Sequence, residues 1–257
     1  EAQQINFGYL LYESTLEKQD SLLREYALKW LEKYPDNQVA QHMGNAVLNR
    51  AVRPRANDEY LKNIFDIFAP DFEQVLTGLD YRAPELIRCL LEEIYGSKKS
   101  PRLRILDAGC GTGFCGGFLK KYSSFRGLYG VDISEKMLEQ AQAKKVYSHL
   151  LQSELEQYFS QAKTKFDLIV SADVFTYFGS LEKLLSGMAD SLSAGGRVIF
   201  TVSENNLNND DYFLHSSGRY LHHQNYVGKV LEKAGFEVEK LERAKLRNEG
   251  ENIVYGY

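Results

Sequence analysis

The chain has 257 residues and a formal net charge of −4, with 44% hydrophobic and 26% charged residues. At roughly 150 residues per domain this suits one large domain, or one domain with an appendage, and it excludes a disordered chain. Mild acidity argues against nucleic acid as a partner, and no apolar run approaches the ~18 residues of a membrane span.

The first 50 residues read as helices. Over Leu16–Leu31, apolar side chains recur at helical spacing (Leu22, Leu23, Tyr26, Ala27, Trp30, Leu31). Tyr34-Pro35-Asp36-Asn37 breaks the pattern, and a second helix is expected from about Gln38 to Asn49. Residues 51–80 read as a hinge and an aromatic stretch, with Tyr60, Ile64, Phe65, Phe68 and Phe72 flanking a break at Ala69-Pro70. That stripe suits buried core and a lid over a pocket equally well, since a lid also needs an apolar inner face.

From Tyr81 onward strands alternate with helices. Helix Pro84–Tyr95 leads to strand Leu103–Asp107, a helix near Cys115–Tyr122 to strand Gly127–Asp132, and helix Glu135–Lys144 to a short strand at His149–Gln152. Helix Glu154–Gln161 precedes strand Phe166–Ser171, helix Leu181–Leu192 precedes strand Arg197–Ser203, and helix His222–Ala234 precedes strand Phe236–Ala244. Ile253–Tyr257 closes the chain as a last strand. Such alternation implies an α/β fold with a mostly parallel sheet and an edge hairpin at the end. The organisation is read as a helical cap and lid at 1–80 and an α/β domain at 81–257.

The turn after Leu103–Leu106 carries the chemistry. It contains Asp107-x-Gly109-x-Gly111-x-Gly113, and Asp132 ends the next strand. Glycines let the backbone turn sharply against a ligand, and ligands of open α/β sheets bind beyond the strands' carboxyl ends. Gly111-x-Gly113-x-x-Gly116 also fits a dinucleotide fingerprint, which expects an acid about 20 residues on. Asp107 favours the other reading: it repels a pyrophosphate and attracts a ligand carrying ammonium and sulfonium groups.

The segment Leu106-Asp-Ala-Gly-Cys-Gly-Thr-Gly113 resembles the first motif of class I S-adenosylmethionine-dependent methyltransferases. Tyr129-Gly-Val-Asp-Ile-Ser-Glu-Lys-Met-Leu resembles their second motif, Phe166-Asp-Leu-Ile-Val-Ser-Ala-Asp-Val-Phe their fourth-strand motif, and Leu192-Ser-Ala-Gly-Gly-Arg-Val-Ile-Phe the start of their fifth strand. The narrower resemblance is to bacterial predicted methyltransferases with an N-terminal tetratricopeptide-like segment. It is carried by Leu31-Glu-Lys-Tyr-Pro-Asp-Asn, Phe65-Asp-x-Phe-Ala, Tyr81-x-x-Pro84 and Ser217-Gly-Arg-Tyr-x-His222. At most one and a half such repeats fit, fewer than the roughly three a free-standing solenoid needs, so a packed cap is expected rather than a peptide-binding array.

The resemblance implies a Rossmann-like, doubly wound, seven-stranded mostly parallel sheet with a C-terminal antiparallel hairpin. It implies S-adenosyl-L-methionine as cofactor and S-adenosyl-L-homocysteine as product. Gly109, Gly111 and Gly113 would line the methionine part, with Asp107 ordering the turn. Asp132 would hold the ribose, Ile133 and Met137 would flank the adenine, and Ser171 and Asp173 would lie beside the sulfonium. The family's adenine-reading Asp is replaced here by Gln152-Ser-Glu154, which makes Glu154 the candidate.

Methyl transfer requires alignment first, and a base only when the acceptor must lose a proton. His222 is the favoured base, with Tyr177 and His215 as further catalytic candidates. Tyr60, Phe65, Tyr81, Arg219 and Tyr220 are expected to contact the acceptor, Arg219 by pairing with a carboxylate or phosphate. No metal site is expected, because His215, His222 and His223 lack zinc spacing and Glu204–Asp211 lacks the terminal Glu of a calcium loop. A small-molecule acceptor is expected, since Ser171-Ala-Asp-Val-Phe differs from the Asn-Pro-Pro-Tyr type used on base or glutamine amines. A protein substrate, a protein-recruiting module acting through the N-terminal helices, a homodimer, a nicotinamide oxidoreductase and a cofactor-binding protein that no longer transfers methyl groups stay as alternatives. Cys89, Cys110 and Cys115 form no C-x-x-C pair, which points to a reducing, cytoplasmic setting.

Overall fold

The breaks and periodicities of the sequence set the element boundaries in the computed structural model, which describes residues 1–16, 20–50, 53–96 and 101–257. Three helices come first: α1 (Ala2–Leu16), α2 (Asp20–Lys33) and α3 (Gln38–Val47). The helix expected over Leu16–Leu31 starts at Asp20; Leu16 closes α1, and 17–19 lie outside the described residues. Pro35 ends the helical run, and Asn37 caps α3 by accepting the Ala40 N–H at 2.9 Å. Helix α4 (Asp58–Phe68) is capped by Asn57, and Pro70 separates it from α5 (Phe72–Gly78). The four helices α1–α4 bury one apolar cluster that includes Trp30, Met43, Tyr60 and Ile64.

The remainder alternates as the sequence pattern requires: α6 (Ala83–Tyr95), β1 (Leu103–Ala108), α7 (Gly116–Tyr122), β2 (Ser123–Asp132), α8 (Glu135–Ala143), β3 (His149–Gln152), α9 (Leu155–Gln161), β4 (Phe166–Ser171), α10 (Glu182–Asp190) and β5 (Leu192–Phe200). These strands form a parallel sheet in the order β3-β2-β1-β4-β5. Strands β1 and β4 are apolar at their centres, Ile105–Leu106 and Leu168–Val170, because helices cover both faces. The period of two sorts them: Leu106 and Ile169 pack in the cluster with α9–α11, whereas Ile105, Leu168 and Val170 pack with Ile87, Leu91 and Leu119.

After β5 come β6 (Ser203–Glu204), β7 (Tyr212–Leu214), β8 (Tyr220–His222), α11 (Gln224–Lys233), β9 (Ala244–Glu249) and β10 (Asn252–Gly256). They build a second sheet, ordered β7-β8-β6-β10-β9. The expected single seven-stranded sheet is thus found as two five-stranded sheets meeting at a seam. Val202 and Tyr257 exchange backbone hydrogen bonds of 2.9 and 3.0 Å there, so the closing hairpin continues the parallel sheet beyond β5. Strands β7 and β8 are additions that the sequence reading lacked.

Two boundaries differ from expectation. The strand expected at Phe236–Ala244 begins only at Ala244, because Val238 and Leu241 are 46% and 40% exposed and no face there is apolar enough to bury. The helix expected from His222 starts at Gln224, with His223 as its cap and His222 in β8. No described helix is long and apolar enough to cross a membrane.

Candidate functional site

A cleft with about 1020 Å³ of atom-free space, partly open to solvent, lies at the carboxyl ends of β1, β2 and β4. Strand order reverses between β1 and β4, where open α/β sheets hold their ligands.

The glycine turn forms one wall. Gly109, Gly111 and Gly113 have φ of 75°, 51° and 80°, the left-handed region that side chains resist. They do different things. A Cβ on Gly109 would stand 2.4 Å from Val174 Cγ2, and one on Gly113 would stand 2.8 Å from Tyr147 Cε2. At Gly111 the nearest atom is Phe72 Cε1, 3.7 Å away. Gly109 and Gly111 line the cleft; Gly113 does not, and serves the packing of the turn on Tyr147 and Ala141.

Two acids bracket this turn. Asp107 accepts the Tyr147 hydroxyl at 2.6 Å. Burial pushes its carboxyl up to about 7, against the pull of that hydroxyl and with help from the neighbouring Asp132 charge. Asp132 accepts the Gly111 N–H at 2.8 Å and the Ser134 N–H at 2.9 Å, and burial raises it to about 6 despite these bonds. It therefore ties the glycine turn to the start of α8. Ile133 and Met137 supply apolar wall beside it. Glu154 also lines the cleft, while both its oxygens cap α9 through the Glu156 and Gln157 N–H groups at 3.0 and 2.9 Å.

The roof comes from α4 and α5, which bring Leu61, Phe65, Phe72 and Leu76 over the turn. Glu73 fastens it by accepting the Thr112 hydroxyl at 2.7 Å and the Lys144 ammonium, and Asp66 accepts the Ser134 hydroxyl at 2.6 Å. The aromatic stripe divides accordingly: Tyr60 and Ile64 are core, and Phe65 and Phe72 are roof.

The far end holds an ionic cluster. Asp173, at φ 56°, receives Arg247 Nη1 on both oxygens at 2.9 and 3.0 Å. Glu249 Oε1 accepts Arg219 Nη1 at 2.7 Å and Arg247 Nε at 2.8 Å, and its Oε2 accepts the Tyr12 hydroxyl at 2.8 Å. Burial alone would raise Glu249; the two guanidinium charges and the hydroxyl outweigh it and bring the carboxyl to about 2. Asp173, Arg219, Tyr81 and Tyr177 line the cleft.

Several candidates lie elsewhere. His222 is fully buried, with Nε2 donating to the Gly179 carbonyl at 3.1 Å and burial pulling its pKa down to about 4. His215 Nδ1 engages Ser217, and its ring packs edge-on to Tyr12. Neither histidine lines the cleft, so neither stands where a base would have to act. Ser171 is buried with its hydroxyl on the Ala108 carbonyl at 2.8 Å, joining β4 to β1. Tyr60 stacks on His42, and Tyr220 donates to the Arg53 carbonyl at 2.6 Å; both are core. Sequence reasoning missed Arg247, Glu249, Tyr12, Tyr147 and Phe114. The available signal was a charged pair at i and i+2 beside Leu246, which puts Arg247 and Glu249 on one strand face. Among the described residues no group of three or more His, Cys, Asp or Glu could hold a metal ion.

The cleft thus joins a glycine turn between two acids, an apolar slot beside Asp132, and an aromatic chamber ending in a guanidinium. The acids suit a cationic ligand, the slot a flat heterocycle and the Asp132 carboxylate a pair of hydroxyls, so these residues fit an adenosyl sulfonium.

Residues 106–200 match the family model described as Methyltransferase domain. The chain is similar to methyltransferase-like protein 27 of Homo sapiens, 43% identical over 89 residues, covering 34% of this chain and 35% of that one. It is also similar to malonyl-[acyl-carrier protein] O-methyltransferase of Priestia megaterium, 26% identical over 151 residues, covering 58% and 53%. The chain thus spans about a third to a half of these curated relatives, 35% and 53% of their lengths. In fold it resembles an S-adenosylmethionine-dependent methyltransferase from Clostridium acetobutylicum, at a TM-score of 0.52 and 17% identity, covering 76% of this chain and 98% of that one.

Proposed function

We propose that this chain, which carries a class I S-adenosylmethionine-dependent methyltransferase domain, moves a methyl group from that cofactor to a small-molecule acceptor. The carrying observation is that one cleft contains both the acid-bracketed glycine turn and a separate aromatic chamber. When bound, the cofactor supplies a methyl carbon already activated by its positive sulfur.

Everything else is done by the chain. Asp132 accepts the ribose hydroxyls while its N–H partners keep the carboxylate aimed. Ile133, Met137 and Leu155 enclose the adenine. Asp107, steadied by Tyr147, offers negative charge to the cationic methionine end. Phe65, Tyr81 and Tyr177 wall the chamber in which the acceptor is aligned, and alignment is the main demand of an in-line displacement. The roof on α4 and α5 covers the cleft with apolar side chains, which suits a small guest better than a folded protein surface.

Replacing Asp132 by Ala is expected to weaken S-adenosylhomocysteine binding by about 3 kcal/mol, roughly a hundredfold. Calorimetry on the full chain measures this, and an unchanged affinity would rule the ribose assignment out.

A further inference from the structure

We infer that the acceptor is a carboxylic acid with an apolar body, anchored at Arg219 and methylated on a carboxylate oxygen. The inference rests on the methyl transfer proposed above and adds a substrate class to it.

Arg219 is the first reason. It sits at a tight turn in which the His215 N–H meets the Arg219 carbonyl at 2.9 Å, and Gly218 precedes it at φ 77°. The side chain reaches the cleft wall and is 20% accessible. Glu249 engages one nitrogen, Nη1, and shares the same oxygen with Arg247. Among the described residues Nε is buried without a partner, and Glu249 and the Tyr177 hydroxyl are the side chains beside the guanidinium. Arg247 differs: it is 2% accessible and is spent on Asp173 and Glu249. A guanidinium with one edge held and another unused is built to receive a carboxylate.

The second reason is the lack of a base. Among the described residues no histidine lines the cleft. Tyr81 and Tyr177 keep their protons well past neutrality because they are buried, and so do Cys110 and Cys115. Asp173 is held on both oxygens by Arg247. Asp107, Asp132 and Glu154 belong to the cofactor end, Glu154 with both oxygens occupied by the Glu156 and Gln157 N–H groups. An alcohol, a phenol or an ammonium would have to shed a proton with nothing placed to take it. A carboxylate arrives without one.

The bonds balance on that basis. A lone pair of the carboxylate oxygen forms the new C–O bond as the C–S bond breaks, and that bond's electron pair stays on sulfur. The negative acceptor and the positive donor become a neutral ester and a neutral thioether, and no proton moves. The chamber walls, Phe65, Leu76, Tyr81, Phe114 and Tyr177, suit an aryl or alkyl body.

The test uses the full chain with cofactor tritiated on the methyl group, offered benzoate, phenylacetate and octanoate beside benzyl alcohol, benzylamine and phenylacetamide. Label on the acids, released by alkali as volatile methanol, is the expected result. Alkali-stable label, preference for the alcohol or amine, or no labelling of any acid would overturn the inference. A second readout is calorimetry of phenylacetate with the chain saturated in S-adenosylhomocysteine. Arg219→Gln should weaken phenylacetate by about tenfold or more and leave S-adenosylhomocysteine affinity in place. Equal phenylacetate affinity in both proteins would again overturn it. If S-adenosylhomocysteine fails to bind the unaltered chain, the parent proposal fails instead.

Discussion

Two buried carboxylates in contact with one glycine turn are costly unless something positive joins them. Asp107 and Asp132 are both raised, to about 7 and about 6, chiefly by burial. The folded chain therefore holds these protons more tightly than the unfolded one. The stability this confers is complete below about pH 4 and is lost as pH rises through 6 to 7. Asp107→Asn should accordingly stabilise the ligand-free chain more at pH 8 than at pH 5, by about 1–3 kcal/mol. Denaturant titration at the two values measures the difference; equal gains at both would contradict it. Cofactor affinity should run the opposite way, rising with pH from 6 to 8 as the acids ionise. Gly109 is equally constrained, for Gly109→Ala places a Cβ against Val174 at a φ of 75°. A loss of about 2–4 kcal/mol is expected from clash and strain together, read from the denaturation midpoint.

Helices α4 and α5 act as a fastened roof. Glu73 binds both Thr112 of the glycine turn and Lys144 at the end of α8, so it bridges two sides of the cleft. Glu73→Ala should speed hydrogen exchange across residues 61–76 and quicken cofactor release several-fold while the sheet exchanges as before. Stopped-flow release of S-adenosylhomocysteine checks this, and an unchanged rate would remove the roof from the binding step. The parallel sheet was readable in advance because strands covered on both faces carry short apolar runs, as at Ile105–Leu106 and Leu168–Val170. The glycine turn was readable because a left-handed backbone demands glycine. The closing hairpin was misplaced because Phe236–Leu241 alternates like a strand, whereas Gly250 at φ 60° sets the turn between Glu249 and Asn252. With the hairpin shifted, Arg247 and Glu249 went unseen, and His222 was read as the start of a helix instead of a buried strand residue. Tyr12 could not be found at all, since only tertiary packing brings it to a partner 237 residues away.

At the scale of the molecule, the N-terminal segment is tied to the elements around the cleft. Tyr12 on α1 reaches Glu249 on β9, the Ala56 N–H meets the Tyr177 carbonyl at 2.8 Å, and Pro54 accepts from Gly179 and Ser180. Tyr12→Phe should therefore loosen Glu249 and Arg219, raising the acceptor KM several-fold with little change in cofactor affinity. The glycine spacing alone fits both an adenosyl sulfonium and a dinucleotide, and Asp107 selects the first. Calorimetric titration of the full chain with S-adenosylmethionine, S-adenosylhomocysteine and NAD separates them. Saturable binding of the first two, with no heat from NAD, is the predicted result. Tight binding of NAD alone would contradict it.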